Sequence, residues 1–245
     1  MPHSLFISDL HLCVNRPDTT RLFHQFIRTI APQAESLYIL GDLFEYWAGD
    51  DDANSPFHLE ITGALRTLSG QGTGIYIMHG NRDFLMNKQL AKACHATLLA
   101  DPVMLDLYGT PTLLTHGDAL CTDDTAYQIF RQQVRNVTWQ QQFLALPLAH
   151  RIAQIEQLRA KSESEKQLKS VSIMDVNLQA VNELLSEHNF PRLIHGHTHR
   201  PAHHLHHLDG HTCDRWVLGD WDKHANALYC DADRVTWQVF PDDAS

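Results

Sequence analysis

At 245 residues, the chain can bury a sizeable core, and its formal charge of −10 from 29 acidic and 19 basic side chains excludes a general nucleic-acid binder, which needs basic surface to neutralise phosphates. Five scattered cysteines, Cys13, Cys94, Cys121, Cys213 and Cys230, are odd in number and never arranged as CxxC, which speaks against a disulfide framework and a thiolate zinc knot and fits a reducing compartment. No apolar stretch approaches the ~18 residues of a spanning helix, and the start Met1-Pro2-His3-Ser4 carries no basic leader, so the expectation is a cytosolic or membrane-surface protein.

Leu5-Phe6-Ile7 reads as a first strand, ending in Asp9 and His11. Two residues apart, these project to one side if the backbone stays extended. Leu22, Phe23, Phe26, Ile27 and Ile30 follow at helical spacing. The apolar run Leu37-Tyr38-Ile39-Leu40 is a buried strand stopped by Gly41, and it delivers Asp42 at its carboxyl end, where open α/β sheets bind ligands. Asp50-Asp51-Asp52 reads as a solvated acidic turn. Phe57, Ile61, Leu65 and Leu68 mark a second helix, and Ile75-Tyr76-Ile77-Met78 a third strand, ending in His79-Gly80-Asn81-Arg82-Asp83. Strand, helix, strand, helix, strand predicts a parallel α/β unit. A short helix near 88–93 and a hairpin of 103–108 with 111–115 lead to His116.

Residues 126–170 change character. Seven Lys or Arg stand against three Glu, a formal +4 inside an acidic chain, interleaved with Tyr127, Phe130, Trp139, Phe143, Leu144, Leu146 and Leu148. The segment has helical composition with Pro147 as its obvious break. Two readings are open: an amphipathic helical hairpin packed on the core, or a lid with basic side chains for an anionic head and apolar ones for a greasy tail or bilayer surface. After a helix over 176–189 and the strand Arg192-Leu193-Ile194 come His195, His197 and His199, alternating, so that all three could face one place if extended. His203, His204, His206, His207 and His211 read as a solvated edge or loop, with incidental metal affinity as the alternative. Trp216-Val217-Leu218, 225–229 and 235–240 are expected as antiparallel strands.

The strand-end groups are Asp9, His11, Asp42, Asn81, His116, His197 and His199. Carboxylate, amide and imidazole donors without cysteine suit manganese, iron, magnesium or zinc. Seven are too many for one ordinary ion but suit two that share Asp42. Two such ions ~3.5–4 Å apart can activate water and clamp the oxygens of an in-line displacement at phosphorus.

The series Asp9-x-His11, Gly41-Asp42, Gly80-Asn81, His116 and Gly196-His197-x-His199 resembles the calcineurin-like metallophosphoesterases through nearly the whole chain. The resemblance implies an α/β/β/α fold: a β-sandwich flanked by helices, with 1–125 and 171–245 as the core and 126–170 as a helical lid insertion. It implies one ion on Asp9, His11, Asp42 and His199, a second on Asp42, Asn81, His116 and His197, and His195 behind them. Most of that family has histidine where Arg82 stands, as an aid to the leaving group. A permanent cation there points to a leaving phosphate, whose second pKa is about 6, rather than to an alkoxide.

SDLHL, YILGDLFE, HGNRDFL, HGDALCTDD and IHGHTHRP are similar to the branch of the family that acts in lipid A synthesis. That similarity implies hydrolysis of UDP-2,3-diacylglucosamine by water attack on the α-phosphorus, giving UMP and 2,3-diacylglucosamine 1-phosphate. It further implies two Mn(2+) ions per chain and a peripheral position on the cytoplasmic face of the inner membrane, with no nucleic-acid or obligate protein partner. Asn81, Arg82, Asp124, Ser162, Lys166, Lys169 and His197 would contact substrate, with Asn81, Arg82 and His197 at the chemistry. The alternatives are a broader phosphodiesterase acting on cyclic nucleotides or nucleic acid, and a binding scaffold that has lost its metals. Arg82 and the mixed insert speak against the first, the unbroken ligand series against the second.

Overall fold

The structure, a computed structural model, describes residues 1–166, 173, 175–222 and 224–240. Eleven strands fall in two sheets among these residues. The first half of the chain builds β1 (Ser4–Ile7), α1 (Pro17–Thr29), β2 (Ser36–Leu40), α2 (Pro56–Gly70), β3 (Gly74–Met78), α3 (Lys88–Cys94) and β4 (Ala96–Leu99). The strands β1 to β4 run parallel, as the alternation of strand and helix dictates. The chain then crosses to the second sheet with β5 (Val103–Leu107) and β6 (Thr110–Thr115), the expected hairpin.

The insertion forms three helices: α4 (Thr125–Val134), α5 (Val137–Leu144) and α6 (Leu148–Lys166). Asn136, whose side chain accepts from Trp139 N–H, starts α5, so the segment breaks there as well as at Pro147. Then come α7 (Leu178–Glu187), β7 (Arg192–His195), β8 (Ala202–Leu208), β9 (His211–Val217), β10 (Ala225–Cys230) and β11 (Val235–Phe240). The sheets have the orders β11-β10-β1-β2-β3-β4 and β5-β6-β7-β9-β8.

Strand periodicity explains the layering. Leu5, Ile7, Leu37, Ile39, Ile75 and Ile77 point to the core under α1 and α2, while Phe6, Tyr38, Leu40 and Met78 point to the core between the sheets. In-register pairing stacks Phe6 on Tyr38 and Tyr38 on Tyr76, at ring separations of 4.8 and 4.7 Å. In the second sheet Leu114 and Ile194 face the same inner core, and Leu113 and Leu193 face α7. The result is helix, sheet, sheet, helix. Because β1, β2 and β3 run one way in the first sheet and β6 and β7 run together in the second, each sheet gathers the carboxyl ends of its parallel strands on one edge.

Three expectations need correction. The acidic run 50–52 is not a solvated turn: it is a 3-10 turn in which Asp50 accepts from the Asn87 and Gln89 amides at the start of α3, Asp51 receives Arg151, and Asp52 is buried beside His58. Trp216 and Val217 end a longer strand, β9, which pairs antiparallel with β8 as expected but parallel with β7 on its other side. The strand β4 was not foreseen; of the two readings of the late histidines, solvated edge or loop, the edge holds for His203 to His207, since β8 forms the largely exposed outer edge of the second sheet.

Candidate metal centre

Five loops meet at the strands' carboxyl ends. Beyond β1 and β2 the parallel pairing continues, with Asp9 N–H bonded to Gly41 O, His11 N–H to Asp42 O and Leu12 N–H to Leu43 O, at 2.9–3.1 Å. Across the sheets, His116 Nδ1 lies 2.8 Å from Leu40 O, and Gly196 N–H donates to His116 O at 2.9 Å. Asp83, fully buried, accepts from Gly80 N–H at 2.8 Å and from the Asp42 and Phe44 amides at 3.3 Å, which ties the second and third loops together. Gly80 and Gly196 sit where the loops press on donors. A Cβ at position 80 would overlap Asp42 Oδ1, and one at position 196 would overlap Ser8 Oγ and crowd Asp9 Oδ2.

The loops bring all seven strand-end donors together. His11 and His199 face each other through Nε2 at 3.3 Å, and His199 Nε2 is 3.4 Å from Asp9 Oδ1. Asp42 Oδ2 is 3.9 Å from both His11 Nε2 and His116 Nε2. Asn81 Oδ1 stands between His116 Nε2, at 3.0 Å, and His197 Nδ1, at 2.9 Å. Asp9, His11 and His199 form one compact donor group, and Asp9, Asp42 and His116 another. Asp9 belongs to both groups, and Asp42, the carboxylate that the sequence pointed to as shared, lies 3.9 Å from one histidine of each.

The backbone reason differs from the one expected. Asp9, His11, Asp42, His197 and His199 all have positive φ, between 50° and 70°. The donors converge because the chain turns left-handed at each of them, not because an extended segment alternates. Such conformations are uncommon for residues other than glycine, though Asp and His are among the enriched types, and they persist where surrounding structure holds them. His195 accordingly leaves the group. Its Nε2 lies 3.1 Å from Arg215 Nη1 and its Nδ1 3.0 Å from Gly196 O; burial, with the Arg215 charge, pushes its pKa down to about 3.

A divalent cation pair fits these residues. Asp9 Oδ1 is buried and faces His199 Nε2 at 3.4 Å. Three imidazoles are approached at Nδ1 by acceptors: His11 by Glu45 Oε2 at 3.3 Å, His116 by Leu40 O at 2.8 Å and His199 by Asp220 Oδ2 at 3.3 Å. That arrangement turns three Nε2 lone pairs to the centre, as second partners do in metal sites. Two of those nitrogens face each other across 3.3 Å, so that a proton or a metal cation has to lie between their lone pairs. Burial pushes Asp42 up to about 7, against His116 and with Asp83 and Asp9; burial would also raise Asp9, but the His199 hydrogen bond and the His116, His199 and His11 imidazoles hold it well below the carboxylate range.

Several contributors went unmarked in the sequence. Glu45 lies between His11 and two guanidinium groups, Arg82 Nη1 at 3.8 Å and Arg159, whose Nη2 donates to Glu45 Oε1. Asp83, Asp118 and Asp220 brace the loops. A buried carboxylate two or three residues from a ligand was the signal available, in Asp42-x-x-Glu45, Asn81-x-Asp83 and His116-x-Asp118. Of the expected substrate contacts, Arg82 and Ser162 line the same cleft as Asn81. Asp124 caps α4, its carboxylate accepting from Tyr127 N–H at 3.1 Å. Lys169 and the Lys166 side chain lie outside the described residues.

The cleft runs from Asn81 and Arg82 into the insertion and holds about 310 Å³. Trp47, Phe84, Leu85, Trp139, Phe143, Ile155 and Leu158 give it apolar walls.

Fold and donor cluster define a calcineurin-like phosphoesterase: the chain matches that family over residues 3–201 and belongs to it. Among curated proteins it is 53% identical over 228 residues to one from Aromatoleum aromaticum, covering 93% of each chain. It is 49% identical to a protein of Aeromonas hydrophila, covering 93% of this chain and 94% of the other, and 47% identical over 239 residues to one of Serratia proteamaculans, covering 98% and 99%. All three relatives are named UDP-2,3-diacylglucosamine hydrolase.

Proposed function

We propose that this chain hydrolyses the diphosphate of UDP-2,3-diacylglucosamine in lipid A synthesis, water attacking the α-phosphorus to release UMP and 2,3-diacylglucosamine 1-phosphate. The observation that carries the reading is one continuous site: Asn81 of the donor cluster and Arg82 open directly onto an apolar cleft. A polar, cationic head and an apolar tail region side by side suit a substrate with a diphosphate at one end and acyl chains at the other.

In this reading two Mn(2+) ions are held, one by Asp9, His11, Asp42 and His199, the other by Asp42, Asn81, His116 and His197. When bound, they supply activated water and charge neutralisation at phosphorus. The chain's own residues do the rest. Asn81 and His197 would orient the α-phosphate. Arg82 has its backbone N–H fixed on Asp42 Oδ1 at 2.8 Å, and its guanidinium reaches the cleft mouth beside Glu45. The guanidinium would stabilise the charge on the departing sugar phosphate. Asp124, Ser162, Lys166 and Lys169 would contact the remaining polar groups.

The insertion, 126–170 on a core of 1–125 and 171–245, would shelter the acyl chains and keep water from the tail region. Its exposed Ile129 and Val137 suit a peripheral position at the cytoplasmic face of the inner membrane. No helix among the described residues is long and apolar enough to cross a bilayer.

The test is hydrolysis of UDP-2,3-diacylglucosamine by purified protein with Mn(2+) in oxygen-18 water. Label in UMP is expected. Label in the sugar phosphate would reject attack at the α-phosphorus, and no cleavage alongside turnover of a cyclic nucleotide would favour a broader phosphodiesterase.

A further inference from the structure

One buried carboxylate beside the donor cluster has no part in the reading above. Asp118 follows His116 by two residues and is fully buried. Its Oδ2 accepts from the Tyr127 hydroxyl at 2.7 Å and from Arg131 Nε at 2.8 Å, and Arg135 Nη2 lies 3.9 Å away. Tyr127 and Arg131 are on α4, and Arg135 is the residue that caps its carboxyl end. Asp118 O also accepts from Gln128 Nε2 at 2.9 Å, a third hydrogen bond from the same helix.

Arg135 and Tyr127 go on to donor loops directly, and Arg131 reaches one through Asp101. Arg135 Nη2 donates to Gly80 O at 2.8 Å, immediately before Asn81. The Tyr127 ring stacks on His197, with centroids 5.9 Å apart and planes 27° from parallel. Arg131 Nη2 lies 3.9 Å from Asp101 Oδ2, while Asp101 Oδ1 accepts from Thr115 Oγ1 at 2.6 Å and from His116 N–H at 3.3 Å. The loops of Asn81, His116 and His197 all touch α4, and Asp118 is the charge that gathers the contacting side chains.

Tyr127 and Arg131 both use Oδ2. Asp118 opens the short 3-10 turn that follows His116, so this one carboxylate joins the His116 loop to α4.

We propose that Asp118 is a positioning residue of the metal centre: it fastens α4 against the loops of Asn81, His116 and His197, so that α4 is a fixed wall of that centre and not part of a cover that opens. The proposal rests on the two-ion reading for its effect on metal, but the fixed wall is measured independently of it. Side chains that orient ligands from behind change metal affinity by roughly 10–100-fold.

The experiment compares the full-length wild type with Asp118→Asn, which keeps size and removes charge, and with Arg131→Lys and Tyr127→Phe, which weaken single arms of the clamp. Mn(2+) titration followed by the free-ion electron paramagnetic resonance signal reads affinity without substrate. Hydrogen exchange reads the amides of 125–134. Expected for Asp118→Asn is a loss of about tenfold or more in affinity for one ion with the other unchanged, faster exchange across α4, and a fall in kcat with little change in KM. The two arm variants should shift the same quantities less, and they decide the matter if Asp118→Asn does not fold. Unchanged affinities together with unchanged α4 exchange would overturn the proposal. Uniform loss of both ions with an equal loss of thermal stability would also overturn it, as a structural effect only. Wild type binding fewer than two ions would sink the two-ion reading instead, with α4 exchange still reporting on the clamp.

Discussion

Arg82 acts through two groups. Its amide holds Asp42 Oδ1 at 2.8 Å, and its guanidinium lies with that of Arg159 about one carboxylate, Glu45. Arg82→His would keep the amide bond but place a shorter, largely neutral ring at the cleft mouth at pH 7. The fold and both donor groups should persist, while kcat for diphosphate cleavage drops by about 10²-fold, the scale for losing one transition-state donor. An unchanged rate in a steady-state assay would show that the cation does not serve the leaving phosphate. At this scale the sequence offered the candidate donors, because a metal centre needs imidazole, carboxylate and amide oxygen and little else substitutes. It did not reveal their backbone. Five donors are left-handed, a conformation that costs of order 1–3 kcal/mol each and that only the packed loops around them can impose.

Among the elements, α6 shows why the insertion cannot be read as a loose flap. Arg151, buried to 1% exposure, donates through Nε to Leu146 O at 3.0 Å and through Nη1 to Ala48 O, and it grips Asp51 with both terminal nitrogens. On α5, Phe143 belongs to the main core together with Trp47 and Phe44. Excising 126–170 would therefore open that core, so point changes test the insertion better. Arg151→Ala leaves two carbonyls without their donor and removes a packed stem, a cost of about 2–3 kcal/mol. Thermal unfolding should shift down by roughly 5–10 °C for a chain of this size. With α6 loosened, KM for the diacylated substrate should rise while inhibition by UMP stays as it was; an equal rise for both would reject an acyl shelter. The strands whose apolar residues alternate were legible. β4 and β8 were not: Ala96-Thr97-Leu98-Leu99 is too short for a period, and the histidines of β8 lack the apolar face that marks a strand.

For the whole molecule, the donor cluster gathers buried carboxylates where two half-sandwiches meet, so cations bound there would be linked to folding. Asp9, Asp42 and Asp83 are all essentially inaccessible to water. A divalent ion at 100 times its dissociation constant stabilises the folded chain by about 2.7 kcal/mol per site, or roughly 5–10 °C in thermal midpoint. Chelator should lower the midpoint by that amount and Mn(2+) should restore it. A midpoint indifferent to both, followed by calorimetry, would mean that these carboxylates are not held for metal. The sequence by itself determined the donor types, their order, the parallel unit that carries three of the loops and the family they belong to, because apolar runs of period two and strand-end polar groups are local signals. Only the tertiary structure decided that His195 turns away to Arg215, that Asp50 to Asp52 serve α3, α6 and His58, that Glu45 and Asp118 brace the centre, and that α4 leans on three donor loops. Those outcomes depend on which side chains meet when separate elements pack, from 20 residues apart for His195 and Arg215 to 114 for Glu45 and Arg159, and the local apolar pattern does not encode that meeting.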